Sequence, residues 1–163
     1  MNTTTPIIRD ATPNDCAAIF SLITELAEYE KLSLAVTGNA AMLHTSLFGP
    51  NPVAQCVVIE DAAKNVFGIA LYFFTFSTFL TKRGMYLEDL YVQPDKRGGG
   101  HGRALLLHLA AKAHALNCGR FEWRVLDWNT PAIDFYKSLG AAIMPEWHLV
   151  RLDEQGIAAL TKT

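Results

Sequence analysis

The run Arg97-Gly98-Gly99-Gly100-His101-Gly102-Arg103 carries more chemical information than any other segment of the chain. It follows the apolar stretch Leu90-Tyr91-Val92 and opens a segment with apolar residues at helical spacing. A strand, a glycine-rich turn and a helix start gather backbone N–H groups and the positive end of the helix around one concavity, which suits a phosphate. Glycines also remove the Cβ atoms that would hold an anion away from the backbone. No register of these glycines gives G-x-G-x-x-G, and no Gly-Lys-Ser/Thr occurs, so neither a dinucleotide fingerprint nor a Walker loop is present. Taken alone, such a cluster reads more readily as a surface turn.

Just upstream, Glu88 and Asp89 interrupt an otherwise apolar strand that runs from Met85 to Val92. Burial of Glu88 between Leu87 and Leu90 would raise its pKa into the range useful for a general base. The blander reading is a solvent-facing strand residue. Strict alternation sends Asp89 to the opposite face from Glu88. Downstream, Asp127-Trp128-Asn129-Thr130-Pro131 leads into a helix that carries Phe135-Tyr136 and ends at Leu139-Gly140-Ala141. Asn129 there reads as a helix cap, and Tyr136 as a helix-surface tyrosine packed on a sheet.

Together these segments resemble the GCN5-related N-acetyltransferases (GNAT). Arg97-x-x-Gly100-x-Gly102 is similar to the superfamily's diphosphate-binding motif, and the Asn129 to Ala141 segment to its last shared motif. Further strings extend the resemblance over nearly the whole chain, to the diamine N-acetyltransferases of the spermidine/spermine and thialysine group. These are Ile8-Arg9, Asp15-Cys16, Glu25-Leu26-Ala27 with Tyr29-Glu30, Tyr72-Phe73-Phe74-Thr75, Tyr86-Leu87-Glu88-Asp89-Leu90-Tyr91-Val92 and Leu126-Asp127-Trp128-Asn129. The last of them leans toward the thialysine branch.

The resemblance implies a cosubstrate, acetyl-coenzyme A, bound by Leu90, Val92, Arg97, Gly98, Gly99, Gly100, His101, Gly102, Arg103, Asn129 and Tyr136. No metal is implied, and the five histidines include no H-x-x-x-H pair. An alkyl amine with a lysine-like pKa, ~10.4, loses its proton at pH 7 at a cost of about 4.6 kcal/mol, so transfer needs a base. Glu88 matches the family's water-mediated base. Tyr136 matches its general acid, a phenol that protonates the departing thiolate. The family's strand is bulged near the thioester, which would let Asp89 approach a cationic substrate. Tyr29 and Glu30, with Glu88 and Asp89, map onto the family's substrate contacts. The polyamine enzymes continue this region with more acidic residues, whereas this chain reads Lys31-Leu32-Ser33-Leu34. That favours a shorter diamine or an aminoethyl-bearing amino acid over spermine. Lys82-Arg83 reads either as a partner for a substrate carboxylate or as a solvated hairpin tip. The resemblance further implies a homodimer.

Composition narrows the alternatives. The 163 residues are 50% hydrophobic, enough for one domain over 1–163 that buries roughly 70% of its unfolded surface. Fourteen Lys+Arg against sixteen Asp+Glu give a net charge of −2, without the basic excess that nucleic-acid binding requires. Cys16, Cys56 and Cys118 lie too far apart for a C-x-x-C site and read as small hydrophobes in a reducing cytoplasm. Met1 to Pro6 shows no secretion signal, and Val66 to Leu80 is too short and too polar to span a membrane.

The pattern of elements is a strand near Ile7, a helix from Thr12-Pro13 and a helix from Thr37 to Phe48. Strands follow at Gln55 to Glu60, Val66 to Phe76 and Met85 to Val92, then a helix from about Arg103 to Leu116 and a strand at Phe121 to Leu126. The helix at Asn129 is followed by strand-like Ala142 to Leu152, broken at Pro145, and a weak final helix. The fold class is α/β (α+β), the GNAT fold, with a central, mixed, mostly antiparallel sheet flanked by helices on both faces. The expected activity is direct acetyl transfer to a small primary amine, without a cysteine acyl-enzyme. Acetylation of a protein lysine or N-terminus, and a non-catalytic acyl-coenzyme A sensor, are the alternatives.

Overall fold

The computed structural model describes residues 5–162, so the first four residues of the segment read above for a secretion signal lie outside the described residues. The chain divides into two compact units, Met1–Arg124 and Val125–Thr163.

The first unit holds a five-stranded sheet in the order β1-β2-β3-β4-β5. Its strands are β1 (Ile7–Asp10), β2 (Gln55–Glu60), β3 (Val66–Ser77), β4 (Lys82–Val92) and β5 (Arg120–Trp123). The first four pair antiparallel in sequence order, and β5 joins β4 in parallel. A parallel neighbour demands a crossover, supplied here by α3 (His101–Ala115). Helices α1 (Cys16–Tyr29) and α2 (Ala40–Phe48) connect β1 to β2.

Alternation along the strands separates two cores. Cys56, Val58, Ile69, Leu71 and Tyr91 pack with Ile19 and Leu22 of α1 and Leu47 of α2. Helix α3 lies against β2, β3 and β4 and is anchored by the fully buried Leu105 and Leu109. Its Lys112 Nζ bonds the Tyr72 hydroxyl at 3.0 Å and Asp10 Oδ1 at 2.7 Å, which marks Tyr72 as a residue of the α3 face. The sheet thus has α1 and α2 on one side and α3 on the other.

Local chemistry moves some boundaries. A 3-10 turn, Pro13–Asp15, precedes α1, and Asp15 accepts from the Thr12 N–H at 2.7 Å and from the Arg9 guanidinium. Helix α2 starts three residues later than its Thr37 boundary because Asn39 caps it, accepting from the N–H groups of Ala41 and Met42 at 3.0 Å each.

In the second unit, α4 (Thr130–Ser138) is capped by the Asn129 side chain, which accepts from Ala132 N–H at 3.4 Å. It ends at Gly140, whose φ of 86° is the left-handed conformation that glycine adopts without strain. The strand expected over Ala142 to Leu152 is absent; those residues are irregular, leading to α5 (Glu154–Leu160). Pro145 removes one ladder donor midway, which interrupts strand pairing there.

Candidate active site

The two acids of β4 are placed by a β-bulge. Leu71 of β3 faces Asp89 and Tyr72 faces Leu87, so Glu88 has no residue opposite it. The extra residue resets the alternation. Asp89 returns to the α1/α2 side beside Leu71 and Tyr91, where an unbroken strand would have sent it to the other face.

The acids also exchange environments relative to expectation. Glu88, expected to be buried between Leu87 and Leu90, is exposed on the bulge, whereas Asp89 is half-buried. Burial, followed by the negative charges of Glu88 and Glu30, pushes the Asp89 carboxyl up to about 6. No cation pairs with it among the described residues. Burial likewise raises Glu30, just past the C-terminus of α1.

The bulge coincides with a parting of strands. The β4–β5 ladder runs from Gly84↔Arg120 to Leu87↔Trp123 and stops there. From Glu88 to Val92, the β4 edge facing β5 therefore has no strand beside it among the described residues. Leu90 and Val92 lie on this open edge and pair on the other side with Ala70 and Gly68. An open strand edge of this kind takes an extended, amide-bearing ligand by backbone hydrogen bonds.

The glycine loop follows at once. Gly98 and Gly100 have φ of 84° and 75°, and a Cβ added at either would meet nothing within 4 Å. The loop can therefore turn tightly into α3 while leaving room beside its N–H groups, which fits a diphosphate. Arg97 is oriented by its own Nε–H, which donates to the Val92 carbonyl at 2.9 Å, and by the Tyr29 and Tyr91 rings, 5.1 and 5.4 Å from its guanidinium carbon.

Arg103 is exposed on α3. His101 instead turns its ring edge onto Phe67 at 5.2 Å. It borders a concavity of about 410 Å³ with Pro6, Ile8, Ile59 and Gly100.

Glu25 of α1, quoted above only within a string of the resemblance, was given no role from the sequence. It accepts from the Tyr91 hydroxyl at 3.2 Å and from Gln93 Nε2 at 3.1 Å, tying α1 to the end of β4. Its position four residues before Tyr29 on one helix face was the available signal. Asn129 and Tyr136 belong to the second unit, where the Tyr136 ring lies 5.3 Å from that of Phe135. Cys16 and Cys56 are buried, and burial pushes the Cys56 thiol up to about 12, far from nucleophilic use. Among the described residues no helix is long and apolar enough to cross a membrane.

A bulged strand that parts from its parallel neighbour just before a glycine-rich helix start suits an extended ligand that carries an anionic group. Residues 19–141 match the acetyltransferase (GNAT) family, a match that crosses the boundary between the two units. The chain belongs to that family and is an N-acetyltransferase. It is 40% identical to thialysine N-epsilon-acetyltransferase of Sus scrofa over 94% of this chain and 96% of that protein. It is 30% identical to the L-ornithine N5-acetyltransferase of Arabidopsis thaliana over 95% and 87% of the two chains. Among solved structures, an integron cassette protein of V. cholerae superposes with a TM-score of 0.82 at 27% identity, covering 98% of this chain and 99% of that one.

Proposed function

We propose that this protein transfers the acetyl group of acetyl-coenzyme A directly to the primary amine of a small diamine, polyamine or thialysine-like amino acid. The observation that carries this reading is the β4 bulge. It sets Glu88 and Asp89 where β4 and β5 part, a few residues from the glycine loop.

Acetyl-coenzyme A supplies an activated thioester carbonyl. Arg97 and the N–H groups of Gly98, Gly99, Gly100, His101 and Gly102 hold its diphosphate, with Arg103 adding positive charge, while the open edge at Leu90 and Val92 and the side chain of Asn129 take its amide-bearing arm. The acceptor arrives as an ammonium ion, attracted by Asp89 and Glu30 beside Tyr29. Glu88 removes the amine proton, helped by its exposure, since it passes that proton on to solvent. A C–N bond forms as the C–S bond breaks, and the Tyr136 hydroxyl protonates the departing sulfur and is restored from solvent. No metal takes part in this scheme. The family resemblance also supports a cytoplasmic homodimer, which light scattering of the purified protein checks for its oligomeric part.

Free-thiol release tests the proposal, with spermidine, putrescine, thialysine, lysine and a lysine-containing peptide offered in parallel. Turnover with a small amine, thialysine ahead of spermidine, is the expected result. Turnover with the peptide alone would overturn it. Tyr136→Phe is expected to lower kcat about 10²-fold or more while calorimetric acetyl-coenzyme A binding stays within about threefold.

A further inference from the structure

Beyond Asp89, the α1/α2 side of the sheet carries an aromatic floor that the scheme above leaves unused. Phe73 lies two residues along β3 from Leu71 and so shares its face, and its ring stacks on Tyr86 of β4 with centroids 5.0 Å apart and planes at 29°. Arg124, just past β5, sets its guanidinium carbon 5.5 Å from the centre of the Tyr86 ring. Arg124 is exposed and pairs with no carboxylate among the described residues. Stacking uses only the face of a guanidinium. Arg124 also hydrogen-bonds the Tyr86 hydroxyl, and its other N–H groups remain for a carboxylate.

Charge divides this surface into two ends. Asp89, Glu30 and Glu88 make one end acidic; at the other, Glu122 opposite Tyr86 is answered by Arg120, and Arg124 leaves that end basic. Since Leu71 faces Asp89 and Phe73 faces Tyr86, the two ends are separated by at least two strand positions, about 7 Å. The other cations near this strand are committed elsewhere. Lys82 Nζ donates to Asn117 Oδ1 at 3.3 Å, and Arg83 lies 4.6 Å over Phe74, which packs edge-on against Tyr72 on the α3 face.

We infer that Arg124 binds the carboxylate of an amino-acid acceptor that lies across Phe73 and Tyr86 with its reacting ammonium at Asp89. The acceptor class is then an α,ω-diamino acid rather than a plain diamine. A polyamine gains nothing at Arg124 and meets repulsion there, while a diamino acid places one charge at each end with the matching sign. This inference rests on the small-amine reading above.

The test compares lysine with cadaverine, and thialysine with its decarboxylated counterpart, in the wild type, Arg124→Gln and Arg124→Lys. In Arg124→Gln the KM ratio of amino acid to decarboxylated partner is expected to rise about 10–100-fold, the loss of one charged, forked contact. Arg124→Lys should recover part of that ratio. An unchanged ratio in Arg124→Gln overturns the inference, and so does an equal rise in KM for both members of a pair. Wild-type silence toward all four acceptors, with acetyl-coenzyme A binding intact, overturns the small-amine reading itself. Melting temperatures of both variants separate misfolding from lost recognition.

Discussion

Asp15 and Asp89 are both withdrawn from solvent, and the protein treats them in opposite ways. Asp15 accepts two N–H bonds from the Arg9 fork, at 2.8 and 3.0 Å, and one from Thr12, and the Arg9 bonds first of all hold its carboxyl down at about 2. Arg9 also reaches the buried Glu60 at 2.7 Å, so one guanidinium joins the start of α1 to β1 and β2. Asp89 has no such partner, and burial together with Glu88 and Glu30 pushes it up to about 6. A charge satisfied on every side serves the fold. A charge left unsatisfied in a half-buried place opposes the fold, which is the usual condition of groups kept for binding or catalysis.

The sharpest way to break this contrast is through activity. Asp89→Asn is expected to lower kcat/KM about 10²–10³-fold, because the ammonium loses its only half-buried counter-charge on β4. Asp15→Asn should leave kcat/KM of the folded fraction within about twofold. Steady-state thiol release on protein normalised for folded content decides it. Similar losses in both variants would mean that the two aspartates do not divide into structural and functional roles.

Stability should move the other way, with a pH dependence that identifies each group. Asp89 binds its proton more tightly folded than unfolded, so the wild type loses stability as pH rises from about 4 to about 6. Asp89→Asn removes that loss and should be more stable at pH 7 by at most about 3 kcal/mol, a gain that vanishes below pH 4. Asp15 has the reverse sign. Its contribution is present above about pH 4 and is lost as pH falls toward 2, so Asp15→Asn destabilises at pH 7 and matches the wild type only in acid. Urea melts from pH 2.5 to 8 test both curves, and a gain for Asp15→Asn at neutral pH would refute the assignment.

The glycine loop was legible because its signal is local: four glycines between a strand and a helix fix the backbone with little help from the rest of the chain. Most strands and helices of the first unit followed from periodicity in the same way, while the helices on both faces of the sheet were implied by the resemblance. The bulge at Glu88 was legible only through family resemblance, since nothing in Leu87-Glu88-Asp89-Leu90 announces an extra residue and the register depends on β3. For that reason the buried acid was assigned to Glu88 when it is Asp89. The Arg124–Tyr86–Phe73 group was illegible because its members come from β3, β4 and the residue just past β5, each an ordinary residue in its own segment. The missing strand after Ala142 was misread because apolar alternation there outweighed the single Pro145.

The smallest expected effect concerns Arg120, four residues before Arg124. Its Nε lies 2.8 Å from Glu122 Oε2 in an ion pair, and both side chains are nearly half exposed, at 41% and 45%. Solvent screens such a pair, so Arg120→Ala should change stability by no more than about 0.5 kcal/mol. Its stem lies over Gly84, two residues before Tyr86 on β4, and its charge is already answered by Glu122. Arg120→Ala should therefore leave the lysine-to-cadaverine KM ratio unchanged within about twofold, whereas Arg124→Gln shifts it. If the Arg120 variant moved that ratio as far, and added salt erased both effects, the preference would come from the diffuse positive field along β5. A shift confined to Arg124 that survives moderate salt requires a directed contact over Tyr86, because only a desolvated, forked bond resists screening.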